Sequence, residues 1–217
     1  MARQIGVLFS GGLESAALVQ HYLRRGYIVH PVFVEADLPW EKVERYWTQR
    51  FFKSLKSPRT KPVITVKLYL GDAYRKNWSK TGKIPGARSR DEAVFLPARN
   101  LMLLSRAMLF LVPLNVTEIA LGTLGGNPFP DGRPSYFKLL NKVFSLGMEK
   151  PIHIHVPLRQ QKKKNIIADN KNLPLHLTFS CINPKGKFHC GKCNKCAERK
   201  KAFKEASVAD KTVYARG

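Results

Sequence analysis

Five short apolar runs recur along the chain, and the segments between them carry apolar residues at helical spacing. Ile5-Gly6-Val7-Leu8-Phe9 is uninterrupted by polar residues, as expected for a strand covered on both faces. After Ser10-Gly11-Gly12, apolar residues Leu13, Ala16, Ala17, Leu18 and Leu23 recur at helical spacing, and Gly26 ends the pattern as a C-cap glycine does. Val29 to Val34 reads as a second strand, Trp40 to Leu55 as an amphipathic helix, and Val63 to Leu68 as a third strand beyond Pro58 and Pro62. Gly71 to Ala93 is polar, basic and glycine-containing, which predicts a long loop or mobile insertion. Asn100 to Leu111 predicts a buried helix, Ile119 to Leu121 a short strand, Ser135 to Leu146 a helix, Ile152 to Val156 a last strand and Lys162 to Asn170 a basic helix.

Strands alternating with helices predict an α/β fold with a parallel sheet and ligands at the carboxyl ends of its strands. At 217 residues one main domain is expected, over residues 1–175, with a small C-terminal segment, 176–217, packed on it. The longest apolar stretch, Leu101 to Leu114, is broken by Ser105 and Arg106 and is too short to span a bilayer, so no membrane association is expected. The N-terminus runs into the first strand without a signal peptide, which points to a cytoplasmic protein. Charge adds one thing that patterning does not show. With 38 Lys and Arg against 15 acids the net charge is +23, and Arg159 to Lys204 alone holds 13 basic residues against Asp169 and Glu198. Such a field attracts polyanions, nucleic acid among them, but supplies no base readout and equally describes a solvated basic exterior.

All four cysteines, Cys181, Cys190, Cys193 and Cys196, lie within one sixteen-residue window as C-x8-C-x2-C-x2-C. Without a secretory signal this clustering favours a metal site over disulfides. Four thiolates suit a structural zinc, one per chain, because they leave no open coordination position for catalysis; an iron–sulfur cluster is the other occupant they suit. His189, beside Cys190, is left outside the set. At the opposite end, Ser10-Gly11-Gly12-Leu13-Glu14-Ser15 joins the first strand to the first helix. Its glycines permit a sharp turn, and the helix N-terminus favours an anion there. It is neither a Walker loop nor a G-x-G-x-x-G fingerprint. Read from the residues alone, an ordinary βα turn with a serine cap remains open.

The same six residues resemble the S-G-G-x-D-S pyrophosphate loop of the N-type ATP pyrophosphatases, with Glu14 in the Asp place. Within that superfamily the chain resembles the 7-cyano-7-deazaguanine synthase family of queuosine biosynthesis, as a divergent member. Phe95-Leu96-Pro97-Ala98-Arg99-Asn100 resembles the F-V-P-G-R-N segment, and Phe129-Pro130-Asp131-Gly132-Arg133 the Y-P-D-C-R loop. His155-Val156-Pro157-Leu158 with Lys163 resembles the T-P-L…K stretch, and the four cysteines match the terminal zinc site. Glu35-Ala36-Asp37-Leu38-Pro39 stands where the family has Y-G-Q-R-H.

The resemblance implies a Rossmann-like sheet of the adenine nucleotide alpha hydrolase type, with helices on both faces and a C-terminal zinc-bound segment. It implies a ligase that uses ATP with magnesium, 7-carboxy-7-deazaguanine or a related carboxylate, and ammonia, acting as a homodimer. Ser10, Gly11, Gly12, Leu13, Glu14 and Ser15, with Arg99 and Asn100, are the implied nucleotide- and substrate-binding residues. Lys163, Arg133 and Asp131 are the implied catalytic residues. Two other readings stay open: an adenylating enzyme with a different carboxylate or nucleobase, and a catalytically inactive zinc-stapled nucleic-acid-binding protein.

Overall fold

The computed structural model describes residues 2–215. Five parallel strands lie in the order β3-β2-β1-β4-β5. They are β1 (Gln4–Leu8), β2 (Ile28–Glu35), β3 (Ile64–Lys67), β4 (Glu118–Ala120) and β5 (His153–His155). The chain winds outward from β1 in one direction through β2 and β3, then returns to place β4 against the other side of β1. The strand order therefore reverses between β1 and β4, where a parallel sheet opens a crevice beyond its carboxyl edge. Pro31 lies within central β2 and cannot donate to a ladder. It falls between the bridge Val29↔Thr60 and the β2–β3 ladder, which begins at Val32↔Ile64.

Alternation along β1 divides the core. Ile5, Val7 and Phe9 pack with α1 (Leu13–Arg24), α2 (Glu41–Leu55) and α6 (Lys163–Asp169) through Ala16, Leu18, Val19, Phe51 and Ile166. The opposite face is covered by α4 (Arg99–Leu111) and α5 (Pro134–Met148), whose Leu104, Met108, Leu111, Leu140 and Phe144 meet Val32, Val66 and Ile119. Each such side chain, fully buried, contributes about 1.5–3 kcal/mol. Helix α4 buries Leu103, Leu104, Ala107, Met108 and Leu111, the 3.6-residue repeat expected for its position. Among the described residues, no helix is long and apolar enough to cross a membrane.

Two segments differ from the sequence expectation. Residues 71–93 are pinned onto the fold and contain the short helix α3 (Trp78–Thr81). Tyr74 is buried and its hydroxyl donates to the Pro97 carbonyl at 2.7 Å, while Asn77 and Trp78 both donate to the Phe95 carbonyl. At the far end, Asn194 donates its backbone N–H to the Pro85 carbonyl and its side-chain amide to the Ser89 carbonyl. Polarity misled here because these anchors are single aromatics and amides, with no periodic apolar face. The second difference is α7 (Asn194–Glu205), a helix unmarked by periodicity because nearly every outward position is charged.

Candidate functional site

The cleft beyond β1 and β4 has a volume of about 230 Å³. Its floor is the loop 10–15. Gly11 adopts a φ of 77°, a left-handed conformation that a side chain would strain, and its carbonyl accepts the Phe179 N–H at 2.7 Å. Gly12 caps α1 without a side-chain bond, so the first-turn N–H groups of the helix stay turned toward the cleft. Ser10 and Ser15 line the cleft, and the Ser15 hydroxyl donates to the Gly12 carbonyl at 2.9 Å. Gly122, just past β4, closes the other side. A Cβ there would stand 2.7 Å from Cβ of Glu14, so only glycine lets the two loops approach this closely. Leu13 is the exception within the loop: its side chain is buried against Ile167, Leu175 and Phe203, leaving it only a backbone role.

Arg99 and Asn100 begin α4 and face this floor, and Asp131 lies buried beside them. Asn100 donates its backbone N–H to Asp131 Oδ2 at 3.1 Å and its side-chain amide to the Asp131 carbonyl at 2.9 Å. These two hydrogen bonds fasten the loop carrying Asp131 to the head of α4. The Arg99 Nε is buried without a partner among the described residues. The turn before α4 runs through Ala98, a non-glycine residue at φ 56°, which aims Arg99 inward at the cost of local strain. Arg133 is different. It caps α5 from an exposed position outside the residues that line the cleft, so the structure does not bring it to Asp131 and Lys163.

Lys163 begins α6 and reaches the loop from below. Its Nζ lies 2.8 Å from Glu14 Oε1 and 2.6 Å from Glu198 Oε1. Burial alone would lower its pKa, but the two carboxylates outweigh that and raise it, so the ammonium stays charged. Glu198 on α7 is opposed by burial yet held down to about 2 by Lys163 and Lys195. The extra methylene of Glu14, relative to the Asp of the resembled loop, carries its carboxylate to this lysine. Glu198 and Lys195 were not singled out in the sequence. A signal existed: Glu198 is the sole acid between Lys192 and Lys204.

The segment 35–39 enters β2's carboxyl end with Ala36 and Leu38 buried, and the Ala36 N–H donates to the Glu41 carboxylate. Glu41 and Glu44, on the first turn of α2, face the cleft with Phe33, Val94, Leu96 and Phe129. Burial pushes the Glu44 carboxyl up to about 8, although nearby Arg99 pulls the other way. These two acids also escaped the sequence reading, since only the folding of α2 against β2 turns them inward. Trp40 and Trp78 stack 5.4 Å apart at the rim, as do Phe95 and Phe129 at 5.1 Å.

The four cysteines converge as their spacing predicts. Their sulfurs lie within 4.8 Å of one another, all buried and none in a disulfide. Cys181 and Cys193 sulfurs are 3.8 Å apart, and those of Cys190 and Cys196 are 3.9 Å apart. Metal–sulfur bonds of about 2.3 Å in a tetrahedron give edges of about 3.8 Å, so the donor set fits a tetrahedral metal ion. Backbone N–H groups of Asn183 and Cys190 donate to the Cys181 sulfur, and those of Lys192 and Cys193 to the Cys190 sulfur, as thiolates require. His189 is held away from the sulfurs: its Nε2 meets the Ser180 N–H at 3.1 Å. Burial, with Arg199 nearby, lowers it to about 3, so it remains neutral. The clasp is tied to the cleft by Arg199 on α7. Fully buried, Arg199 donates to Thr178 Oγ1, Ser180 Oγ, Thr212 Oγ1 and the Leu175 carbonyl, holding the segment whose Phe179 supports Gly11.

Known proteins resemble this chain over nearly its whole length. A 7-cyano-7-deazaguanine synthase from Leptospira interrogans is 30% identical over 94% of this chain and 88% of its own length. One from Thermoplasma volcanium is 28% identical over 100% of this chain and 92% of its own. The solved 4-thiouridine synthetase–RNA complex with bound ATP matches 94% of this chain and 50% of that chain, with a TM-score of 0.52 at 13% identity; this likeness is one of fold. The model of the family described as queuosine biosynthesis protein QueC matches residues 4–207. With its phosphate-type loop, its P-D-x-R segment and its cysteine clasp spread across that whole span, the chain belongs to the QueC family.

Proposed function

We propose that the chain is an ATP-dependent ligase that converts 7-carboxy-7-deazaguanine and ammonia into 7-cyano-7-deazaguanine. The observation that carries this reading is the cleft itself. Anion-binding backbone at Ser10 to Ser15, the lysine at 163 and the arginine at 99, whose Nε has no partner among the described residues, converge where the sheet order reverses. In the first activation a substrate carboxylate oxygen attacks the α-phosphorus of ATP and pyrophosphate leaves. Ammonia then attacks the acyl carbon, releasing AMP and a proton to give the amide. The amide oxygen attacks a second ATP with loss of pyrophosphate, and departure of AMP with the remaining amide protons leaves the nitrile.

The protein's part is to position and to stabilise charge. Ser10, Gly11, Gly12 and Ser15 hold the pyrophosphate through N–H and hydroxyl donors. Lys163 neutralises the charge that develops on it. Arg99, whose Nε is buried, receives the substrate carboxylate, and the Asn100–Asp131 pair fixes that arginine's helix in place. Glu14 and Asp131 would hold magnesium, which would supply Lewis-acid neutralisation of the phosphates. Zinc, one ion per chain, is the proposed occupant of the cysteine clasp, in a structural role. The donor set around the cleft supports the ligase over a catalytically silent polyanion binder. We extend the proposal to a homodimer working in a reducing cytoplasm. The exposed apolar stripe of Leu139, Val143 and Leu146 on α5 supports the first, and the four free, buried cysteines the second.

The test is incubation with ATP, magnesium, ammonia and 7-carboxy-7-deazaguanine, followed by mass analysis and pyrophosphate quantification. Nitrile with one pyrophosphate for each activation is expected. Pyrophosphate release without nitrile sinks the substrate assignment, and no ATP turnover at all sinks the ligase.

A further inference from the structure

Five charged groups meet where α7 passes the phosphate loop, and they are arranged around one carboxylate. Glu198 places Oε1 2.6 Å from Lys163 Nζ and Oε2 2.9 Å from Lys195 Nζ. Lys163 also meets Glu14 at 2.8 Å, and Lys195 lies 3.9 Å from Asp91. The side chains of Lys163 and Lys195 are only 16% and 27% exposed. All five groups line one depression that also takes in Gly122 and Asn127, and four of them, Glu14, Lys163, Lys195 and Glu198, border the cleft that contains Ser10 and Gly12.

Two ammonium groups repel, and confining them beside one another in a half-buried site costs free energy unless a shared anion holds them. Glu198 is such an anion, with one oxygen for each lysine. The two ammonium groups face three carboxylates, Glu14, Asp91 and Glu198, so a polyanion arriving from the loop binds by displacing Glu14 and Asp91; Glu198 alone then leaves the lysines one positive charge in excess. Each ammonium has three donors, and each pairs with one other carboxylate, Glu14 or Asp91, that an incoming phosphate oxygen can replace.

We propose that Glu198 is a positioning residue that presents Lys163 and Lys195 as a two-cation clamp for the pyrophosphate of ATP, making Lys195 a second phosphate-binding lysine supplied by the helix of the cysteine clasp. The proposal rests on the ligase reading for the presence of pyrophosphate, but not for the identity of the carboxylate substrate. On phosphate binding Lys163 exchanges Glu14 for phosphate oxygens and Lys195 exchanges Asp91. Glu198 stays with both and keeps them in register.

The test is equilibrium binding of magnesium pyrophosphate to the full chain at fixed ionic strength, with melting temperature recorded for each variant. Lys195→Gln is expected to weaken binding about tenfold, the loss of one charge-assisted contact. Glu198→Gln is expected to weaken it at least as much. The double variant should bind like Glu198→Gln alone, because Lys195 acts only when held. Lys201→Gln, an exposed loss of the same charge on the same helix, should bind like the parent. If Glu198→Gln and Lys195→Gln melt earlier but bind pyrophosphate as the parent does, the network is only structural and the proposal fails. Tighter binding in Glu198→Gln also overturns it, since Glu198 would then be an electrostatic brake. Should Glu198→Gln not fold, Lys195→Gln alone decides. Pyrophosphate binding that responds as expected without nitrile formation removes the substrate assignment and leaves the clamp standing; nitrile formation with unaltered binding does the reverse.

Discussion

Replacing Arg199 by lysine keeps the charge and removes the fork, and its cost is calculable from the contacts. The guanidinium makes four hydrogen bonds at 2.8–3.2 Å inside a fully buried site, three to hydroxyls and one to the Leu175 carbonyl. It also lies over the Phe203 ring. Among the described residues no carboxylate pairs with it within salt-bridge distance, so these bonds are what compensate the buried charge. A lysine ammonium is a compact point donor that cannot span four acceptors placed around a planar fork. Losing two bonds to a charged donor costs about 1.5–3 kcal/mol each, and rotation of the freed hydroxyls recovers part. A net loss of about 3 kcal/mol lowers the melting temperature of a chain this size by about 7 °C. Thermal melts of parent and Arg199→Lys, with metal content and buffer held equal, measure it. A shift below about 1 °C would show that the four bonds contribute nothing net. Because Phe179, which donates to Gly11, lies between Thr178 and Ser180, both held by Arg199, the variant should also bind magnesium ATP more weakly at temperatures where it is fully folded.

Ala98→Gly should raise stability by about 0.5–1 kcal/mol, since relief of the left-handed strain at φ 56° exceeds the entropy that glycine adds to the unfolded chain; a lower denaturation midpoint would refute it. Glu44 gives a pH signature. Its folded pKa of about 8 is raised above the ordinary carboxylate value, so the folded state holds the extra proton, and stability falls as pH climbs from about 4.5 through 8. Melting curves across that range should flatten in Glu44→Gln, and an unaltered slope would remove burial of Glu44 as the cause. Cys193→Ser should leave less than one zinc per chain by metal analysis and lower the melting temperature by more than 5 °C, on the scale of structural zinc sites; full zinc occupancy with parental stability would exclude the clasp.

The elements of the sheet half were legible because burial imposes period. Ile5 to Phe9 is apolar on both faces because β1 lies at the centre of the sheet, and Asn100 to Leu111 repeats at helical spacing because α4 presents one face to it. The cysteine spacing needed only local geometry to predict convergence. Glu14, Arg99, Asn100, Asp131 and Lys163 were legible through resemblance, and the fold places all five at the cleft or against its loop. Arg133 was legible in the same way, yet its side chain is exposed at the start of α5, since a motif fixes where the backbone runs and leaves the direction of a flexible side chain to packing. The anchoring of residues 71–93 escaped because Tyr74, Trp78 and Asn194 act singly, through contacts distant in sequence.

The opposite ends of the chain each carry a feature the sequence determines by itself: a turn whose left-handed residue is glycine, and four thiols spaced to meet at one point. These depend on backbone conformation and on neighbours a few residues away. Tertiary structure alone decided that the helix leaving the cysteine clasp passes the phosphate loop. Glu198 is one charge in a basic run until α7 packs on α6, which brings its carboxylate to a lysine 35 positions earlier, itself paired with Glu14 near the start of the chain. Electrostatic partnership of that kind depends on distance in space, and no local pattern of residue types encodes it.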